Sequence, residues 1–154
     1  MIAIIDYGVG NLFSLQSSLK FIGADAEVTN DIAKIKAADR IILPGVGAFA
    51  DAIAKLRESG MEQVVLEEAA NGKPLLGICL GMQMLLEKSY EYGEHAGLGL
   101  IGGSVKPIAP MIGGGLKVPH IGWNRLIFPK DREKSKLFQY INEGDCVYFV
   151  HSYA

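Results

Sequence analysis

The sequence predicts an α/β fold in which a mostly parallel, open sheet is flanked by helices and is followed by a β-rich second half. In the first half, short apolar runs alternate with segments whose apolar positions recur at the helical period. This alternation is typical of buried parallel strands joined by helices. Beyond residue 97, glycine, proline and β-branched residues become frequent and no long helical pattern occurs, which indicates strands and turns.

The individual elements are predicted in chain order. Strands are expected at four apolar runs, Ile2–Ile5, Ala26–Val28, Ile41–Leu43 and Leu75–Ile78. Helices are expected over 11–22, 47–58 and 61–70, with a further one beginning near Leu80 whose apolar positions are Met82, Leu85 and Leu86. Strands are again expected near 99–106, 117–128 and 146–151. Binding sites in such sheets form beyond the carboxyl ends of the strands, so functional residues are expected there.

Composition and charge restrict the class of protein. At 154 residues, 49% hydrophobic and 21% charged, the chain is predicted to form one domain over 1–154 with a sizeable core. A net charge of −2 without a basic cluster argues against a nucleic-acid partner. The N-terminal apolar run lacks a basic lead and meets Asp6, so neither a signal peptide nor a membrane span is expected. Two cysteines indicate free thiols, and we expect a soluble, cytoplasmic protein.

Two glycine patterns resemble nucleotide-binding loops but lack the required context. Residues 97–102 match G-x-G-x-x-G, yet Gly103 and Pro107 follow where the dinucleotide motif needs a helix. The pattern Gly8-Val9-Gly10 follows a strand and precedes a helix, but Phe13 stands where the third glycine is required. We therefore expect no bound nucleotide, and a tight strand-to-helix turn at residues 8–10.

The most informative motif is Gly77-Ile78-Cys79-Leu80-Gly81-Met82-Gln83, which places Cys79 where a strand turns sharply into a helix. Glycines two residues to either side allow the backbone to fold back, as in the nucleophile elbow of hydrolases. The positive end of the following helix favours a thiolate. The alternative is a buried structural cysteine. The glycine frame favours a nucleophile, whereas Cys146 lacks such a frame and is expected to pack in the core.

A second glycine loop, Pro44-Gly45-Val46-Gly47, leaves the third strand and opens a helix beside the elbow. Attack of a thiolate on an amide carbonyl creates an oxyanion, which backbone N–H donors stabilise. The Leu80 N–H is one candidate donor, and a loop N–H near Gly45 or Val46 is the other, because low side-chain bulk permits close approach. The alternative is an ordinary strand-to-helix turn.

Four segments together resemble the class I glutamine amidotransferases, and within them the glutaminase branch of the imidazole glycerol phosphate synthases. They are P-G-V-G-A-F at 44–49, G-I-C-L-G-M-Q at 77–83, V-P-H-I-G-W-N at 118–124 and H-S-Y at 151–153. The elbow is shared by the superfamily, whereas P-H-I-G-W-N is typical of the branch. The resemblance covers the whole chain and implies a flavodoxin-like parallel sheet.

The resemblance also implies a reaction. Cys79 would attack the side-chain amide of L-glutamine, form a γ-glutamyl thioester and release ammonia, after which water regenerates the thiol. Gln83, one helical turn after Cys79, would contact the substrate. The alternative interpretation is that Gln83 is an ordinary solvated residue of the helix. Ser152 and Tyr153 would hold the amino-acid end of glutamine, although ordinary polarity at a strand end also explains them. No cofactor and no metal are implied.

The partner implied by the resemblance is a (β/α)₈ cyclase, and the ammonia would pass from one subunit to the other through the protein interior. Trp123 is the sole tryptophan and is expected to be an exposed interface anchor, the alternative being a core tryptophan. Asn11, which can also cap the first helix, is a second interface candidate. The remaining interface candidates are Pro119, His120, Ile121, Gly122 and Asn124.

A thiol nucleophile needs a general base and a group that orients it. In the family these are a His and a Glu in an H-P-E motif downstream of the H-S-Y segment, and this sequence stops at Ala154. His95 is expected in a polar loop, His120 belongs to the P-H-I-G-W-N segment and His151 opens the H-S-Y segment, so none matches the base. We therefore expect that residues 1–154 lack the triad His and Glu and hydrolyse little glutamine alone.

Two alternatives remain open beside the glutaminase. One is a different α/β hydrolase with a cysteine elbow, which would act on another substrate. The other is a non-catalytic segment that binds the cyclase, which the missing triad residues favour.

Overall fold

A computed structural model describes residues 1–113 and 115–154. The described chain divides into a first unit, Met1–Lys106, and a second unit, Pro107–Ala154. Each unit is described by itself below. This division does not test the expectation that residues 1–154 form one domain, which stays a prediction.

The first unit contains a four-stranded, all-parallel sheet in the order β2-β1-β3-β4. Its strands are β1 (Ile2–Ile5), β2 (Ala26–Thr29), β3 (Arg40–Leu43) and β4 (Leu75–Gly77). The helices of this unit are α1 (Leu12–Phe21), α2 (Ile32–Ala37), α3 (Phe49–Glu58), α4 (Met61–Ala70) and α5 (Leu80–Met84). The predicted parallel α/β fold is therefore confirmed.

The core of this unit explains why β1 and residues Ile41–Leu43 of β3 are continuously apolar. Both are central strands, so successive side chains on either face are buried, as for Ile4 and Ile5 of β1. α3 contributes an amphipathic face through Phe49 and Leu56, both fully buried. α4 adds Val65, which packs in the same cluster.

The expected helix through Leu85 and Leu86 is wrong. α5 ends at Met84, and Leu86 begins β5 (Leu86–Ser89). The Leu98 N–H donates to the Met84 carbonyl at 2.8 Å, and the Ile101 N–H donates to the Leu85 carbonyl at 2.9 Å. These long-range bonds take carbonyls that a longer helix would need, so tertiary pairing outweighs the local helical pattern.

β5 lies in a small second sheet in the order β6-β5-β7, where β6 is His95–Ala96 and β7 is Ile101–Val105. The G-x-G-x-x-G segment thus leads into a strand, as its sequence context predicts. The sequence pattern missed β5 and β6. It also missed α2, whose N-cap is Asp31: the side chain of Asp31 accepts a hydrogen bond from the Ala33 N–H at 2.8 Å.

The second unit is β-rich, as predicted. β8 (His120–Arg125) and β9 (Cys146–His151) form a two-stranded antiparallel sheet, and Ala109–Met111 and Lys136–Phe138 are single 3₁₀ turns. The expectation that Cys146 packs in the core is wrong, because its side chain is exposed. β9 pairs with β8 in this two-stranded sheet, and its residues 146–148 are exposed.

None of the helices in the described part of the chain has the length and apolar character needed to cross a bilayer.

Candidate active site

Cys79 occupies the turn between β4 and α5 in a strained backbone conformation. Its φ is 55° and its ψ is −118°, and it is one of two non-glycine residues with positive φ in the described chain. Such a conformation costs about 1–3 kcal/mol and persists only where the surroundings impose it. The side chain is exposed, so the thiol is presented at the carboxyl end of the parallel sheet.

The glycines on either side of Cys79 are required by close backbone contacts. A Cβ on Gly77 would lie 2.5 Å from the Met82 Cα, and a Cβ on Gly81 would lie 2.0 Å from the Leu43 carbonyl oxygen. Both distances are far below van der Waals contact. The glycine frame predicted from the sequence is therefore needed for α5 to pack against the ends of β3 and β4.

The loop Pro44-Gly45-Val46-Gly47 touches the elbow directly. A Cβ on Gly45 would lie 2.5 Å from the Gly81 backbone nitrogen, so the two backbones meet without room for a side chain. The loop is held from behind by Tyr7, whose buried hydroxyl donates to the Pro44 carbonyl at 2.7 Å. Burial raises the pKa of Tyr7 well above its ordinary value, so the hydroxyl remains a donor.

Two backbone N–H groups, one in the elbow and one in the adjoining loop, have no acceptor in the described part of the chain. Within residues 1–113 and 115–154, neither the Leu80 N–H nor the Val46 N–H donates a hydrogen bond. The Gln83 N–H, one turn later, donates to the Cys79 carbonyl at 3.2 Å, which places the half-buried Gln83 on the same helical turn as Cys79. The predicted spacing of these two residues is confirmed.

The structure adds Glu91, which sequence reasoning missed. Its carboxylate accepts the Phe49 N–H at 2.6 Å and so caps α3, where Ala48 provides no side-chain cap. The Glu91 N–H in turn donates to the Ser89 hydroxyl oxygen at 3.2 Å. Because α3 follows the glycine loop immediately, Glu91 anchors the carboxyl end of that loop. No local pattern signals a contact between residues 42 positions apart.

Asn11 follows the turn between β1 and α1 and is the N-cap of α1. Its side chain accepts the Ser14 N–H at 3.3 Å, which confirms the predicted cap of α1. Gly8 and Gly10 have φ of 81° and 126°, as a tight strand-to-helix turn requires. A Cβ on Gly10 would lie 3.1 Å from the Pro44 Cβ, so the first turn adjoins the glycine loop.

The second unit carries the other predicted site residues. Trp123 is 70% exposed and meets Tyr148 across the strands with ring centroids 5.4 Å apart, so it is not a core tryptophan. Ile121 and Val150 are directly opposite each other in the same register and are also exposed. Together these four side chains form one apolar face of the sheet, here called the docking face.

The three histidines occupy different surroundings. The expectation that His95 lies in a polar loop is wrong: it belongs to β6, is half-buried, and stacks on Phe49 with centroids 6.5 Å apart. His120 and His151 lie opposite each other on β8 and β9. In the described residues, 1–113 and 115–154, no histidine hydrogen-bonds to Cys79.

The structure brings Cys79 and Gly45 together with the backbone of Leu80 and Val46, and with Gln83, in the first unit. Ser152 and Tyr153 lie in the second unit with the predicted interface residues of β8. Across the described ranges, no group of three His, Cys, Asp or Glu side chains could hold a metal ion.

Comparisons with known proteins agree with this geometry. The family model described as glutamine amidotransferase class-I matches residues 3–154. Among curated proteins, the imidazole glycerol phosphate synthase subunit HisH of Wolinella succinogenes is 50% identical over 154 residues, covering 99% of this chain and 74% of that protein. The HisH subunit of Oceanobacillus iheyensis is 53% identical, covering 100% and 73%. That of Aquifex aeolicus is 49% identical, covering 97% and 70%.

Solved structures show the same fold at low sequence identity. A crystal structure of a glutamine amidotransferase superposes with a TM-score of 0.68 at 19% identity, covering 97% of this chain and 71% of that one. A putative peptidase E protein from Listeria monocytogenes superposes with a TM-score of 0.53 at 18% identity, covering 65% and 62%. At these identities the likeness concerns the fold alone.

Proposed function

This chain belongs to the class I glutamine amidotransferase family, and we propose that it is the glutaminase that supplies ammonia for imidazole glycerol phosphate synthesis in histidine biosynthesis. The observation that carries the proposal is the strained Cys79 elbow packed against the Gly45 loop. About 50% identity to HisH subunits of several bacteria supports the choice of branch.

In the proposed reaction, the Cys79 sulfur attacks the side-chain amide carbon of L-glutamine. A carbon–sulfur bond forms, the carbonyl π electrons move to oxygen, and the backbone N–H groups of Leu80 and Val46 stabilise that oxyanion. The oxyanion collapses, the carbon–nitrogen bond breaks and the nitrogen leaves with a proton as ammonia. Water then cleaves the γ-glutamyl thioester, which releases glutamate and restores the thiol.

The proposal assigns substrate contacts to Gln83 and, as in the family the chain resembles, to Ser152 and Tyr153. Gln83 lies on the helical turn that follows Cys79, and the proposal assigns to its side chain a contact with the bound glutamine. Ser152 and Tyr153 hold the amino-acid end of the substrate. The proton transfers require a general base, and the proposal assigns that base to none of the three histidines in residues 1–154.

The proposed partner is the cyclase subunit HisF, a (β/α)₈ protein that uses the ammonia. The docking face supports this part of the proposal, because an exposed tryptophan beside a tyrosine is the composition of an interface hot spot. Asn11, Pro119, His120, Gly122 and Asn124 complete the proposed interface. The proposed location is the cytoplasm, with no nucleic acid or membrane partner.

The decisive experiment substitutes Cys79→Ala in full-length protein that includes the family's H-P-E motif, and measures two activities with the cyclase bound. Glutamine-dependent turnover should fall at least 10³-fold, on the order seen when a catalytic nucleophile is removed, whereas turnover with added ammonium should stay unchanged. Cys146→Ala is the matched control, because this cysteine is also exposed but lies outside the elbow. Unchanged glutamine use in Cys79→Ala would reject the proposal and favour a different hydrolase or a non-catalytic role.

A second measurement tests the partner. Trp123→Ala should weaken cyclase binding by about 2 kcal/mol or more, a typical hot-spot value. Tyr140→Ala is the control, because Tyr140 is 87% exposed in the same unit but lies outside the docking face. Isothermal titration that finds equal affinities for the two variants would remove the docking face from the proposal.

A further inference from the structure

The glycine loop between β3 and α3 is held by side chains at its two ends. Within the described part of the chain, none of the N–H groups of residues 45–48 donates a hydrogen bond. At the downstream end, the Phe49 N–H donates to the Glu91 carboxylate at 2.6 Å. At the upstream end, the Tyr7 hydroxyl donates to the Pro44 carbonyl at 2.7 Å. The direction of the N–H groups between these ends therefore depends on how the ends are held.

Tyr7 is a rigid support for the upstream end. It follows β1 by two residues, is 5% exposed and belongs to the hydrophobic core of the first unit. Burial raises the pKa of Tyr7 well above its ordinary value, so the hydroxyl keeps its proton and donates at neutral pH. The hydrogen bond to the Pro44 carbonyl is itself buried. A buried carbonyl oxygen that loses its donor is costly, so the peptide that carries it turns toward another donor.

The peptide held by Tyr7 leads directly to a candidate oxyanion donor. The Pro44 carbonyl and the Gly45 N–H belong to one planar peptide, so holding the carbonyl sets the direction in which the chain enters the loop. Gly45 then meets the elbow, where an added Cβ would lie 2.5 Å from the Gly81 backbone nitrogen. The next N–H along the chain is that of Val46. A turn of the Pro44–Gly45 peptide therefore moves Gly45 against the elbow and redirects the Val46 N–H.

We propose that Tyr7 is a positioning residue that directs the Val46 N–H toward the oxyanion formed during glutamine hydrolysis. The proposal rests on the proposed function, in which Cys79 is the nucleophile and the Val46 N–H is an oxyanion donor. Such a donor stabilises the transition state rather than the bound substrate. Loss of the Tyr7 hydroxyl therefore lowers kcat and leaves the KM for glutamine nearly unchanged.

The test compares Tyr7→Phe with the unaltered enzyme, in full-length protein that includes the family's H-P-E motif and with the cyclase bound. Removal of an oxyanion donor lowers kcat by about 10²–10³-fold in other enzymes. Because Tyr7→Phe displaces the donor without removing it, we expect kcat for L-glutamine to fall by about tenfold or more, with KM within about twofold. Turnover with added ammonium, which bypasses glutamine hydrolysis, should stay unchanged.

Two substitutions control for effects other than positioning. Ile35 is fully buried in the same core but lies in α2, and not in the loop or the turn that supports it. Ile35→Val should destabilise the protein to the same order as the loss of one hydrogen bond, yet keep kcat within about twofold. Tyr140→Phe removes an exposed hydroxyl and should also keep kcat. If Ile35→Val lowers kcat as much as Tyr7→Phe, the effect comes from general destabilisation and the proposal is wrong.

Alkylation of Cys79 by iodoacetamide gives a readout that the loop should not affect. A carbon–sulfur bond forms as the carbon–iodine bond breaks and iodide leaves, so no oxyanion develops. The alkylation rate at Cys79, followed by mass spectrometry of its peptide, should be equal in Tyr7→Phe and the unaltered protein. A fall in alkylation that matches the fall in glutamine turnover would place the defect at the elbow itself and overturn the proposal.

A double-mutant cycle tests whether Tyr7 acts through Val46. Val46→Pro removes the N–H that Tyr7 is proposed to direct, so adding Tyr7→Phe to Val46→Pro should lower kcat by less than about twofold. The same tenfold effect of Tyr7→Phe in both backgrounds would overturn the proposal. Equal kcat values for Tyr7→Phe and the unaltered protein, or a change confined to KM, would also overturn it.

Cys79→Ala in the same assay separates this proposal from the proposed function. If Cys79→Ala abolishes glutamine use while Tyr7→Phe keeps its kcat, only the positioning role fails. If Cys79→Ala retains glutamine use, the proposed function fails and the positioning role with it. A further measurement needs no substitution: in the unaltered protein, the buried Tyr7 hydroxyl proton should give a separate, slowly exchanging ¹H resonance. The absence of that resonance would remove the hydrogen bond on which the proposal depends.

Discussion

A Cβ atom built on Gly81 would lie 2.0 Å from the backbone carbonyl oxygen of Leu43. The helix after the elbow therefore reaches the end of β3 at a distance that only glycine permits. The same approach places Gly45 against the Gly81 backbone nitrogen, so elbow and loop form one backbone contact. The position of Cys79 beside its candidate oxyanion donors depends on that contact.

Gly81→Ala should lower the free energy of unfolding by about 2 kcal/mol or more, because the added methyl group overlaps backbone rather than a side chain that can move. Urea unfolding measures the change. Gly102→Ala is the control, because a Cβ at Gly102 meets nothing within 4 Å. Similar stabilities for the two variants would contradict the close contact.

The strain at Cys79 predicts an unusual order of stability. The free energy of unfolding of Cys79→Gly should be about 1 kcal/mol higher than that of Cys79→Ala, because glycine adopts a positive φ without strain. The same two substitutions at Cys146, which lies in β9, should show the opposite order, since glycine weakens a strand. If the order is the same at both positions, the elbow is not strained.

Tyr7→Phe removes the hydrogen bond to the Pro44 carbonyl and should lower the free energy of unfolding by about 1 kcal/mol at neutral pH. Burial raises the pKa of Tyr7 in the folded state, so its contribution is fully present below the unfolded value of about 10 and is lost as pH rises above it. The unaltered protein should therefore lose more stability than Tyr7→Phe between about pH 9 and 11.

Tyr140→Phe serves as the control for this pH dependence, because Tyr140 is exposed. Chemical denaturation across this pH range should give the same slope for Tyr140→Phe and the unaltered protein. A slope for Tyr7→Phe that also matches the unaltered protein would show that Tyr7 does not cause the loss.

Glu91→Ala should destabilise the protein by about 1 kcal/mol, the usual cost of a lost helix cap, since it leaves the Phe49 N–H without its acceptor. Glu91→Gln keeps an acceptor and should recover part of that loss. Thermal unfolding measures both. Glu94→Ala removes only an exposed ion pair with Lys88 and should change stability by less than about 0.5 kcal/mol. An equal effect at Glu91 and Glu94 would argue against the cap.

Local patterns predicted the parallel strands well, because buried strands such as β1 and β3 need uninterrupted apolar runs and Asn11 caps its helix within one turn. The elbow was predictable for the same reason: Gly77 and Gly81 meet steric demands at fixed positions relative to Cys79. These features depend on neighbours in sequence or on the period of a pattern.

The missed features depend on residues far apart in the chain. α5 ends at Met84 because Leu98 takes its carbonyl, and α3 is capped by Glu91 from 42 positions away. Cys146 follows an apolar-strand pattern typical of a core strand, yet β9 pairs in a two-stranded sheet and leaves that side chain exposed. A pattern reports which residues are apolar, not which surface covers them.

The sequence by itself determined the parallel α/β architecture, the elbow at Cys79 and the glycine loop, because each follows from local backbone sterics or periodicity. Only the tertiary structure decided that Gly45 touches Gly81, that Tyr7 and Glu91 hold the loop, and that His120 faces His151. The physical reason is that backbone sterics act between neighbours, whereas hydrogen bonds and packing join whatever the folded chain brings together.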